Sequence, residues 1–142
     1  MREGSRGDYQ KPTPLSVSID GCSSLPCEAV AGERFLMAVQ FLATKDTTSE
    51  LSAEVIIKTS SGIKVPFALD EEERNVCGNL LHGAYCPLYA TEDATYNLTM
   101  QLPNFSGRNI VEVNLVDESE NEVIACFTTE ILIKRISKKF RI

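Results

Sequence analysis

Five cysteines constrain this chain more than any other feature. They form C-S-S-L-P-C at Cys22 and Cys27, C-G-N-L-L-H-G-A-Y-C-P running from Cys77 to Cys86, and a single Cys126 near the end. Each of the first two pairs brackets a short loop between segments that read as β-strands. Closely spaced cysteine pairs in a small chain suggest a stapled β-domain from an oxidising compartment rather than a cytosolic enzyme. Zinc is disfavoured, because neither pair has the tight C-x-x-C spacing with histidines nearby. We therefore expect no metal and no cofactor.

The segments between the cysteines alternate with a period of two, the signature of strands with one buried face. Phe35, Met37, Val39 and Phe41 are apolar, although Leu36, Ala38 and Leu42 make that run apolar on both sides. Leu51, Ala53, Val55 and Ile57 form a cleaner set, and Ile63–Phe67 repeats the pattern with Pro66 marking a sheet edge or a strand end. Tyr96, Leu98, Met100 and Leu102 alternate with Asn97, Thr99 and Gln101. Val111, Val113 and Leu115 follow, and Val123, Ala125, Phe127, Thr129, Ile131 and Ile133 make one face of a long last strand. With a run at Leu15–Ile19, about seven strands are expected and no core helix. Turn clusters at Lys45–Thr48, Ser60–Gly62, Asn104–Gly107 and Asp117–Asn121 separate them. The fold class is all-β, an antiparallel β-sandwich. The chain of 142 residues is one domain by length, with residues 1–12 as a flexible arm and 13–142 as the sandwich.

Chemistry is sparse. The one histidine, His82, sits in the Cys77–Cys86 loop, and no G-x-S-x-G, H-E-x-x-H or P-loop pattern is present. No enzyme is expected. The net charge of −6 disfavours nucleic acid as a partner. No apolar run approaches the ~20 residues that span a bilayer. Met1–Pro14 lacks the apolar core of a signal peptide, so a secreted protein would be shown here in a processed or re-engineered form. The acidic run Asp70–Glu73 reads as a solvated loop. Arg6-Gly7-Asp8 reads as an incidental match, and the Lys134–Arg141 basic tail as a charged guard on an edge strand, with contact to anionic lipid as the other reading. Asn97-Leu98-Thr99 and Asn104-Phe105-Ser106 are glycosylation sequons, with Asn97 on the polar register of its strand and Asn104 in a turn. The apolar faces admit two arrangements: a closed core, or sheets splayed around a lipid-sized cavity.

The ordered set of Pro26-Cys27, Gly32-Glu33-Arg34-Phe35, Gly62–Phe67, Cys77 to Cys86-Pro87, Tyr96, Leu102-Pro103 and Cys126-Phe127 resembles the ML lipid-recognition family. The likeness is to its Niemann–Pick type C sterol-carrier branch and arthropod relatives, and it spans about Val17 to Ile133. It implies an immunoglobulin-like antiparallel β-sandwich of two sheets with a hydrophobic ligand cavity between them, and disulfides Cys22–Cys27 and Cys77–Cys86. It also implies that Cys126 is free, because the family's partner cysteine is absent near Gly7 and Asp8. Cys126 should face away from the cavity, in register with Ile124 and Leu132. Combined with the alternation, the resemblance gives a lining of Phe35, Met37, Val55, Phe67, Tyr96, Leu98, Met100, Val113 and Phe127. Sterol carriers of this family have tryptophan at the positions of Val113 and Phe127, and this chain has none. That favours a flexible fatty acid, bound at least as tightly as cholesterol, with its tail inside and its polar head outside. The implied function is a secreted or lysosomal carrier of a fatty acid, sterol or semiochemical. Its partners would be an acceptor membrane or a receptor, and lipid recognition through such a receptor is the alternative.

Overall fold

The computed structural model describes residues 11–135. The strands are β1 (Ser16–Ile19), β2 (Cys27–Val30), β3 (Arg34–Leu42), β4 (Leu51–Lys58), β5 (Lys64–Phe67), β6 (Asp93–Gln101), β7 (Gly107–Asp117) and β8 (Glu122–Lys134). They form a three-stranded sheet ordered β1-β3-β6 and a five-stranded sheet ordered β2-β8-β7-β4-β5. The expected all-β sandwich of two sheets is what the chain adopts.

Its interior is built by alternation. Phe35, Met37, Val39 and Phe41 of β3 are buried, while Leu36 and Leu42 lie outside at 37% exposure each. The apolar residues on both faces of that run thus resolve into one core face. Leu51, Ala53, Val55 and Ile57 face them from β4, and Val111, Val113 and Leu115 from β7. Pro66 lies in β5, at the edge of its sheet, where its missing N–H leaves no ladder bond to an outer neighbour unmade.

Four expectations need correction. There are eight strands among the described residues rather than about seven. The missed one, β2, runs parallel to the end of β8, from Cys27↔Ile131 to Val30↔Lys134. Four residues joined to a strand a hundred positions away leave no local hairpin signal. The second correction concerns β8. A bulge between Leu115 and Val116 of β7 pairs Leu115 with Ala125 but Val116 with Val123. The skipped residue turns Ile124 into the core and leaves Val123 only half-buried. Ile124 therefore does not share the outer register with Cys126. Third, β7 begins at Gly107, four residues before its apolar run. Fourth, the acidic run is not a loop: Glu71–Arg74 forms a one-turn helix, α1.

That turn belongs to a plug over one side of the sandwich. Val76 and Leu88 are fully buried, Val76 donates to the Leu51 carbonyl (3.0 Å), and Leu81 donates to that of Thr95 (2.9 Å). The Cys77–Cys86 disulfide ties the segment together. The edge of β6 is thereby covered, and the two sheets are closed to solvent on the β4–β6 side.

Candidate functional site

On the opposite side, between β1 and β8, the sandwich is less closed. The short β2 covers only residues 131–134 of β8, so the preceding half of that strand borders a cleft. Val17 and Ile19 of β1, the loop Cys22–Leu25, and Phe127, Thr128 and Thr129 of β8 enclose about 300 Å³ there. This lies at the low end of the size range of small-molecule sites. The Cys22–Cys27 disulfide fixes the rim loop, whose Leu25 is 65% exposed. A wider hollow of about 500 Å³ lies beyond the opposite end of β8. Its walls include Lys11 and the ion pair of Lys45 with Glu122 (2.6 Å), which suit an apolar chain poorly.

The nine expected lining residues divide into two groups. Phe35, Met37, Val55, Tyr96, Leu98, Met100 and Val113 are at most 5% exposed and pack together in the core. Phe67 and Phe127 are half-buried at its margins, and of the nine only Phe127 lines the cleft. Tyr96 has a structural task of its own, since its hydroxyl donates to the Glu73 carbonyl of α1 at 2.6 Å. Burial, with a smaller push from the Glu73 carboxylate, raises its phenol well above the usual range, so it stays a donor.

The free thiol lies outside this interior. Cys126 pairs with Asn114 across the ladder, and its amide donates to the Pro12 carbonyl at 2.8 Å. Residues 11 and 12 thus lie along β8. Burial raises the Cys126 thiol above its ordinary range, and Lys11 opposes this in part. Asn114 is buried beside it, donating to Glu112 (2.9 Å) and accepting from Lys11 (3.4 Å). Asn97 is half-buried on the outer face of β6, and Asn104 is exposed in the turn before β7. His82 lies in the plug with a positive φ of 62°. Arg6-Gly7-Asp8 and Lys138, Lys139 and Arg141 lie outside the described residues, whereas Lys134 pairs with Glu28 at 2.8 Å.

Sequence reasoning missed Asn109. It is 1% exposed on the inner face of β7, and its two amide bonds go to the Phe105 and Gly107 carbonyls, both at 3.0 Å. It lies between the Asn104–Gly107 turn cluster and the apolar run that begins at Val111, outside any alternating set the sequence shows.

Two facing sheets with a dense apolar interior, plugged on one side and cleft on the other beside a disulfide-bridged loop, define a two-layer β-sandwich open along one edge. The chain belongs to the ML domain family, whose profile matches residues 5–133. It is 29% identical over 122 residues to bovine NPC intracellular cholesterol transporter 2, covering 83% of this chain and 75% of that protein. The crystal structure of a Niemann–Pick type C2 protein from the Japanese carpenter ant superposes with a TM-score of 0.72 at 18% identity, over 88% of this chain and 94% of that one. Chicken MD-1, solved with lipid IVa, shares the fold with a TM-score of 0.50 at 16% identity, over 86% and 81% of the two chains.

Proposed function

We propose that this protein is a non-enzymatic carrier, secreted or lysosomal, that takes a sterol, fatty acid or similar apolar molecule between its two sheets. The observation that carries this is the cleft between β1 and β8, where Val17, Ile19 and Phe127 lead from solvent to the apolar interior. Ligand burial supplies the affinity, at ~0.8 kcal/mol per CH₂ removed from water. The bovine relative's name, a cholesterol transporter, and the lipid IVa in the chicken structure agree with such a ligand. Two disulfides suit an oxidising compartment, and glycans on Asn97 and Asn104 would project from the outer face and the turn.

Delivery to a receptor, rather than to a membrane, is the second reading. Leu25, exposed at the rim of the cleft, favours it as an apolar contact for a partner. The test is displacement of a fluorescent fatty acid or sterol. Phe127→Glu should lower affinity at least tenfold while leaving the melting transition nearly in place, because Phe127 is only half-buried. Phe67→Glu tells whether the ligand extends to the β5 end. Loss of affinity only in proportion to loss of fold would make these residues plain core and refute the carrier function.

A further inference from the structure

The cleft between β1 and β8 has one polar wall. Thr129 stands on the inner face of β8, in line with Phe127 and Ile131, and is only 7% exposed. It is the one polar residue among the inward side chains of that strand. It lines the cleft, and its hydroxyl has no hydrogen-bond partner among the described residues. A nearly buried hydroxyl without a partner destabilises a fold, and a valine of similar shape would fill the position without that cost.

Thr128, beside it, opens the edge of the strand. The Cys126 amide points away from β7, to the Pro12 carbonyl, so the alternation of an antiparallel ladder turns the N–H and C=O of Thr128 the same way. The short β2 joins β8 only from Ile131 onward. Both main-chain groups of Thr128 therefore face the mouth of the cleft, unbonded among the described residues. Ser23 and Ser24 add hydroxyls from the rim loop, and no charged residue lines the cleft. The charged residues next to this lining in sequence are all acidic: Asp20, Glu28 and Glu130. Lys134 pairs with Glu28 and Arg108 with Glu130, so neither cation is free to meet an anion at the mouth.

We propose that this wall is the head-group site for a long-chain lipid with a neutral, hydroxyl-bearing head, of which a monoacylglycerol is the simplest, its tail directed inward and its head at the mouth. This rests on the carrier function above and names its ligand class. The Thr129 hydroxyl donates to the ester carbonyl, at the boundary between the apolar interior and the mouth. The glycerol hydroxyls donate to the Thr128 carbonyl and accept from its amide. A carboxylate accepts but cannot donate, and it meets no cation here to offset its lost hydration. The preference therefore runs against the fatty acid expected from the sequence.

Displacement of a fluorescent lipid by 1-monopalmitoylglycerol and by palmitate at neutral pH, from the wild type, Thr129→Val and Thr129→Ser, tests this. The wild type should bind the glyceride about tenfold more tightly than palmitate, equivalent to about 1.4 kcal/mol. Thr129→Val should lose most of that ratio while melting no earlier than the wild type, and Thr129→Ser should keep it. Palmitate bound as tightly as the glyceride by the wild type overturns the head-group site and leaves the carrier intact. So does a ratio that survives in Thr129→Val. A valine variant that melts early or does not fold shows that the hydroxyl holds the structure together, and that overturns the site as well. Displacement by neither lipid from the wild type overturns the carrier itself.

Discussion

Replacing Tyr96 with phenylalanine removes one hydroxyl from a residue with no exposed surface, and the structure fixes what that should cost. The ring stays, so its packing against the core is unchanged and no sizeable cavity forms. The bond lost is the 2.6 Å contact to the Glu73 carbonyl. A net hydrogen bond is worth about 0.5–1.5 kcal/mol, and a further penalty applies only if the orphaned partner stays dry. Glu73 is half-exposed on α1, so water can take over its carbonyl. The expected loss is therefore about 1 kcal/mol, which for a domain of this size lowers Tm by about 3–4 °C. Urea titration should show a lower midpoint with an unchanged slope, since the surface exposed on unfolding is the same. Lipid affinity should not change, because the hydroxyl ends on the plug, on the side away from the cleft. A drop in affinity with unaltered stability would mean that Tyr96 serves the ligand directly. A loss beyond about 3 kcal/mol would mean that water does not reach the Glu73 carbonyl.

Two further outcomes follow from ionisable groups. Burial raises the Cys126 thiol, so its thiolate fraction at any pH below that raised value is smaller than that of a free thiol. Labelling with a disulfide reagent should inflect at higher pH than for a model thiol, and an inflection at or below the ordinary range would contradict the burial. Burial pushes the Asp117 carboxyl up, but the Thr48 hydroxyl and amide and the Ser119 and Glu120 amides outweigh it and hold it below its usual range. A depressed carboxyl stabilises the fold above its unfolded value of about 3.9, and that contribution is lost as pH falls through the folded value. Acid titration of stability should accordingly show a smaller decline for Asp117→Asn than for the wild type. An identical decline would remove Asp117 from the acid response.

Much of this architecture was legible because strands β3, β4, β6 and β7 carry long apolar alternation, which reports directly on which side is buried. The buried set of β3 matches the alternation residue for residue, and that of β4 does so with Ser52 added. Local pattern failed wherever a distant partner decides the structure. The segment Cys27–Val30 is a strand because the end of β8 offers it a parallel edge. Ile124 faces inward because β8 bulges against β7, and no composition marks a bulge in a run of apolar residues. Asn109 is inside because β7 extends past the turn. The candidate site was legible in part. Alternation separates inward from outward residues but says nothing of how far apart two inner faces stand. Phe127 was identified through family likeness, whereas Val17, Ile19 and Leu25 were not, because they belong to a rim made by an edge strand and a bridged loop. The disulfide pairing came with the resemblance, and the structure forms both bridges.

Native mass spectrometry of the protein purified from its source, followed by organic extraction of what it carries, bears most directly on its role as a carrier. The expected spectrum shows the folded chain with one bound molecule in the mass range of a lipid. The extract should yield a long-chain or sterol-like apolar molecule in about equal amount to the protein. Bare protein alone, with no adduct even after incubation with vesicles containing sterol, long-chain alcohol and fatty acid, would contradict a carrier and leave a closed β-sandwich in its place.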